Sequence, residues 1–112
     1  MGSNDLQPEK LMAKVVVSIF AISDQDEILR TLHRTSGLAT VMKYDAAFRA
    51  LLQELADFPG IGAPRSELGE GIRIVTINPY VVIYEGGPKA ETVVVHRIVH
   101  GRRDIHGGLI ER

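Results

Sequence analysis

Apolar positions along the chain follow two rhythms, and the switches between them mark out the elements. Lys14 to Ala21, KVVVSIFA, is a short β-branched run and reads as a first strand. Ser23-Asp24-Gln25-Asp26 has the Ser-x-x-acid form of a capping box, with Asp24, Asp26 and Glu27 where a helix N-terminus favours negative charge. A helix of about three turns is expected from there, with Ile28, Leu29 and Leu32 as its buried stripe and Gly37 closing it. Val41, Tyr44, Phe48, Leu51, Leu52 and Leu55 then recur at three- and four-residue steps, predicting a longer second helix that Phe58-Pro59-Gly60 stops. The short link at Ser36 and Gly37 makes the pair an antiparallel hairpin, whose shared apolar side must cover a sheet.

Gly60 to Gly71, GIGAPRSELGEG, reads as an irregular connection anchored by Ile61 and Leu68. Ile72 to Ile77 and Tyr80 to Glu85 are strands joined by Asn78-Pro79, and Gly86-Gly87-Pro88-Lys89 turns the chain into Thr92 to Ile105, TVVVHRIVHGRRDI. That stretch begins as a strand buried on both faces and delivers Arg102, Arg103 and Asp104 at its exit, after Gly101. Strict alternation puts Val93, Val95, Arg97 and Val99 on one face and Val94, His96, Ile98 and His100 on the other. The predicted fold is α+β, in the order β-α-α-β-β-β: a four-stranded, mainly antiparallel sheet with one face covered by the hairpin. Met1 to Leu11 is polar and aperiodic, so residues 1–13 are set aside as a flexible arm or expression remnant and 14–112 as one domain. In the tail from His106 to Arg112 only Leu109 and Ile110 are apolar anchors.

Composition narrows the function classes. Thirteen Lys and Arg against fourteen Asp and Glu leave a net charge of -1, so any basic site is local and no general attraction to nucleic acid is expected. There is no cysteine, hence neither a disulfide framework nor a thiolate metal site. The longest apolar run, Val15 to Ile22, is broken by Ser18 and falls well short of the ~20 residues that span a bilayer. A cytoplasmic protein is expected.

Three imidazoles, His96, His100 and His106, invite a metal reading. Four residues of strand separate His96 from His100 by ~13 Å, too far to share an ion, so they read as structural and no metal or cofactor is expected. Arg102 and Arg103 are either solvated charges, with Asp104 pairing one of them or Arg97, or a site for an anion or an acidic partner. Arg73 and Arg97 lie inside strands, where a cation bridges sheet and helices as readily as it meets a ligand. Tyr44 and Phe48, at helical spacing, read as core.

Asp57-Phe58-Pro59-Gly60-Ile61-Gly62-x-Pro64-Arg65, Gly71-Ile72-Arg73, Pro79-Tyr80-x-x-x-Tyr84 and Arg97-Ile98-Val99-His100-Gly101-Arg102-Arg103-Asp104 together resemble the ParE/RelE superfamily of bacterial type II toxins, on its ParE-like branch. The resemblance spans roughly residues 14 to 105. It implies a first strand lying beside the last, and a cognate antitoxin bound at the hairpin and a sheet edge, with Leu29, Leu32, Val41 and Phe48 as contacts. It also implies one of two activities: inhibition of DNA gyrase by protein contact, or cleavage of messenger RNA on the ribosome. In the second scheme Arg73 and Arg103 match catalytic positions, while Val75, Val81 and Leu109 stand where a lysine, an arginine and a tyrosine would be. His96, His100 or Tyr84 would have to substitute as proton carriers. Gyrase inhibition is therefore the expected activity, with Arg102, Arg103, Arg65 and Arg73 touching the target. Neither membrane association nor sequence-specific DNA binding by the toxin alone is expected.

Overall fold

The first strand stops earlier, and the first helix starts earlier, than the capping box implied. In the computed structural model, which describes residues 12–110, β1 is Lys14–Val17 and α1 is Ile19–Ser36. Ser18 makes the switch. Its backbone N–H donates to Val95 O at 2.9 Å, its hydroxyl donates to His96 O at 2.8 Å, and the same oxygen accepts the Ala21 N–H at 3.0 Å. One serine thus ends the strand pairing and caps the helix, which leaves Ser23 inside α1. The helix runs 18 residues, about five turns.

Gly37, at φ +88°, ends α1 by donating its N–H to Leu32 O and His33 O, and α2, Leu38–Asp57, follows at once. Phe48, Leu51 and Leu55 face inward from α2. The remaining strands are β2, Ala63–Pro64; β3, Ile72–Ile77; β4, Tyr80–Glu85; and β5, Thr92–His100. The sheet order is β1-β5-β4-β3-β2. β1 pairs parallel with β5, Lys14 opposite Thr92 through Val17 opposite Val95, and every other pairing is antiparallel. Thr92–His100 is therefore an interior strand, and the fold is α+β. The sheet has five strands rather than four, because Ala63–Pro64 adds an edge opposite Arg73 and Ile74. Two residues carry no periodic signal, and proline sits on the edge, where no ladder donor is needed.

Strict alternation fails once, inside β5. Ile83 pairs with Arg97 but Tyr84 pairs with Val95, so His96 is an extra residue in a β-bulge. The bulge brings Ile98 to the helix-covered side with Val93 and Val95, where Val82, Tyr84, Phe48, Leu51 and Leu55 complete the core. Val99 goes to the opposite side. That face is not bare either: Leu68, from a 3₁₀ turn at Ser66–Leu68, and Leu109 and Ile110 close over Ile72, Val81, Ile83 and Val99. Sequence patterning had one face covered; the chain before β3 and the chain after β5 cover the second.

Past Val17, among the described residues, no strand continues beside β5, and α1 supplies what is missing. Asp24 Oδ2 accepts the Ile98 N–H at 2.9 Å and Arg97 Nε at 2.7 Å, while its Oδ1 accepts Arg97 Nη2 at 3.0 Å. Arg97 Nη1 donates onward to Leu109 O at 3.3 Å. Among the described residues, no helix is long and apolar enough to cross a membrane.

Candidate functional site

The arginines expected to share a site are split between the two ends of β4. Arg73 lies opposite Tyr84, and His100, which leads into Arg102 and Arg103, lies opposite Tyr80. The guanidinium of Arg73 is committed: Nη1 donates to Gly60 O at 3.0 Å and Gly62 O at 2.7 Å. Tyr84 is fully buried, donating its hydroxyl to Pro59 O and accepting the Gly62 N–H, both at 2.8 Å. Burial raises the phenol above its ordinary pKa, against the lowering pull of the Gly62 N–H and the Arg73 charge. Tyr84 and Arg73 thus hold the loop from Pro59 to Gly62, on whose outer side Phe58 and Ile61 are exposed. Arg65 is engaged by Glu67, and that hydrogen bond is the first cause holding the Glu67 carboxyl below its usual pKa.

At the other end, the turn after β5 is tightly built. Gly101 N–H donates to Pro79 O at 2.8 Å, Arg103 N–H to His100 O at 2.9 Å, and Arg102 N–H to His100 Nδ1 at 3.0 Å. A Cβ on Gly101 would stand 3.1 Å from Pro79 O, which explains glycine there. Arg102 and Arg103 are exposed, and neither makes an ion pair among the described residues. Asp104 pairs with neither of them nor with Arg97, whose partner is Asp24.

Each histidine serves its own locality. His96 is 9% exposed in the bulge, with Nε2 3.0 Å from Glu85 Oε1. His100 caps the exit turn, and His106 Nδ1 accepts the Gly108 N–H at 3.0 Å.

Of the positions compared with a ribonuclease scheme, Val75 packs under the helices, whereas Val81 and Leu109 are buried on the opposite face. The scheme's residues therefore do not share one open surface, and Tyr84 has no hydrogen-bonding capacity to spare.

Among residues expected to meet an antitoxin, Phe48 is 2% exposed and belongs to the core, while Leu29, Leu32 and Val41 are half-buried. The exposed apolar surface nearby lies elsewhere, at Val16, Ile19, Phe20 and Ile22, beside the edge of β1 that is free among the described residues. A groove of about 400 Å³ is lined there by Val17, Ile22, Gln25, Asp26 and Leu29. Reading Ile19 to Ala21 as strand hid this stripe. With the helix starting at Ile19, residues 22, 25, 26 and 29 fall at the i, i+3, i+4, i+7 spacing of one helix face.

A row of rings runs from α2 to the exit turn. Lys43 Nζ stands 5.9 Å from the Tyr44 ring centre, Tyr44 meets Tyr80 edge-on at 5.6 Å, and Tyr80 meets His100 edge-on at 5.9 Å. Burial first, and then Tyr44, raise the Tyr80 phenol above its ordinary pKa. Tyr80, His100 and Arg103 also line a cleft of about 360 Å³ with Glu27 and Thr31 of α1.

Similarity to known proteins agrees with this architecture. Two curated toxins of Caulobacter vibrioides match: Toxin ParE3, 27% identical over 94 residues, covering 84% of this chain and 92% of its own, and Toxin ParE1, 28% identical over 83 residues, covering 73% and 86%. A solved structure described as the chromosomal ParDE TA system from P. aeruginosa has the same fold, with a TM-score of 0.65 at 20% identity over 80% of this chain and 96% of that one. The family model for the ParE toxin of the type II toxin-antitoxin system parDE matches residues 15–105, and the chain belongs to that family.

Proposed function

We propose that this ParE-type toxin acts in the cytoplasm by binding DNA gyrase and blocking its reaction, and that a cognate antitoxin holds it inactive. The observation that carries the reading is the burial of Val81 and Leu109. Two positions that a messenger-cleaving relative would need for charge and proton transfer are core, and Arg73 is spent on loop carbonyls. Phosphodiester cleavage needs an acceptor, a donor and charge stabilisation at one place, and the positions that the messenger-cleaving scheme uses do not converge here. A protein-contact poison needs only a rigid, unsatisfied surface, and the Arg102–Arg103 turn is one. Arg65, paired with Glu67, and Arg73 are correspondingly lesser contacts in this reading.

The antitoxin is expected along the free edge of β1 and the groove beside Ile22 and Leu29, by strand addition together with helix-in-groove contact. Leu32 and Val41 lie along the same hairpin, whereas Phe48 supports it from beneath. The surface should bury more than about 1,000 Å² in total.

The test pairs two assays: supercoiling by purified gyrase, and ribosome-dependent cleavage of a messenger, each with and without the protein. Inhibited supercoiling with intact message is expected, fading in the R102A/R103A double variant. Codon-positioned cuts with normal supercoiling would replace this reading with a ribonuclease one, and His100 or His96 would then be the base to test. Association with the product of the neighbouring open reading frame, lost on charge substitution at Ile22, checks the antitoxin half.

A further inference from the structure

We infer that the ring row and the exit turn form one docking surface, made by Lys43, Tyr44, Tyr80, His100, Arg102 and Arg103, and that it takes an acidic segment of the target protein. The inference rests on the protein-contact reading above and specifies the chemistry of the contact. Its residues come from α2, β4 and the end of β5, yet they are contiguous through ring contacts of 5.6 and 5.9 Å. Tyr44 also donates its hydroxyl to Asn78 O at 3.3 Å, which ties α2 to the turn ahead of β4. Tyr80 rests on Phe48, 6.2 Å between ring centres, so the row is backed by the core and is rigid before any partner arrives.

The hydrogen-bonding character of this surface is one-sided. Lys43, Arg102 and Arg103 are exposed donors without ion pairs among the described residues. Tyr80, as an ordinary phenol, carries its hydroxyl proton at neutral pH. His100 uses Nδ1 to accept the Arg102 N–H, so the ring hydrogen of that tautomer is on Nε2, making that nitrogen a donor as well. A surface of donors, cationic at both ends and half-apolar between, complements carboxylates spaced around an apolar contact. Aromatic and arginine side chains on a rigid backing are also the composition of interface hot spots. Phosphates would accept the same donors. Three cations, however, with Glu27 in the adjoining cleft and Asp104 beyond the arginines, are too few for a polyanion at physiological salt, and the chain's net charge is -1.

Lys43 is the discriminating position, because it is exposed and lies on a different element from the arginines. Gyrase inhibition by K43E is expected to weaken about tenfold, K43R to retain it, and added salt to reduce wild-type potency. Unchanged circular dichroism and unchanged antitoxin binding serve as the fold control. If K43E inhibits as the wild type does while R102A/R103A does not, the exit turn acts alone and the docking surface is wrong, with gyrase inhibition intact. If the wild type leaves supercoiling untouched, the gyrase reading fails and this inference falls with it. A single-stranded RNA oligonucleotide retained by the wild type at physiological salt and released by K43E would overturn the protein partner in favour of a nucleic acid.

Discussion

Arg97 and Asp24 meet in a two-point fork of 2.7 and 3.0 Å, which docks the outer helix onto β5 where β1 has run out. Both side chains are mostly shielded, 18% and 17% exposed, and hydrogen bonding to Asp24 is the first cause holding the Arg97 guanidinium above its ordinary pKa. Breaking a fully buried pair by removing one partner costs ~3–5 kcal/mol, so D24A should cost about 2–3 kcal/mol here, since it also strips the acceptor from the Ile98 N–H. Denaturant melts of D24A beside E27A measure it. The neighbour, exposed and without an ion pair among the described residues, should change stability by less than ~0.5 kcal/mol.

The two serines separate the observed helix start from the one that the capping box suggested. S18A removes the acceptor for Ala21 N–H and a donor to His96 O, and should destabilise the protein by about 1–2 kcal/mol. S23A, in the exposed interior of α1, should be neutral or slightly stabilising. Equal effects in thermal melts would contradict the boundary at Ser18.

Gly62 admits no side chain. A Cβ would stand 2.6 Å from Ile74 O and 2.7 Å from Tyr84 Cε1, so G62A must displace either the Pro59–Gly62 loop or the tyrosine beneath it. A loss of about 1–3 kcal/mol is expected. G87A, with nothing within 4 Å of its Cβ, is the control and should cost little.

Tyr84 gives the protein an alkaline limit. Its folded pKa is raised by burial, so above the ordinary tyrosine pKa of ~10 the unfolded chain releases a proton that the folded chain retains. Fewer protons are then bound in the unfolded state, and stability falls as pH rises through that range, while below it the contribution is complete. Y84F should lose about 1–3 kcal/mol at pH 7 by orphaning Pro59 O and Gly62 N–H. It should also show a shallower decline of unfolding free energy between pH 9 and pH 11, about one proton less, by denaturant titration at each pH.

The hairpin, the meander and the interior placement of Thr92–His100 were legible because each rests on long runs with a single period. What escaped the sequence depended on partners distant along the chain. The capping box at Ser23 is locally well formed, but Ser18 is where Val95 O and His96 O draw the chain out of the sheet. The bulge at His96 is invisible to a period-two reading, which sent Ile98 to the wrong face. At the candidate site, Gly101 marked a turn that leaves Arg102 and Arg103 in solvent. Arg73 looked equally available, and only the fold shows Gly60 O and Gly62 O taking both donors of its Nη1. The ring row joins Tyr44, Tyr80 and His100 from three elements, so no spacing announces it.

The parallel pairing of β1 with β5 also carries a consequence for synthesis. Ser18 and His96 are 78 residues apart, and among the described residues the strand partners of β1 begin at Thr92. Closing so long a loop is entropically costly and slow relative to the β3–β4–β5 meander and the helix hairpin, whose contacts are local. A chain leaving the ribosome therefore pairs β1 with β5 only after Thr92–His100 has emerged, and the exit turn follows β5. Amides of β1 should acquire exchange protection after those of β4 in pulse-labelled refolding; simultaneous protection would contradict this order. Translation that stops before Thr92 yields a chain that has neither the described strand partner of β1 nor the turn that carries Arg102 and Arg103.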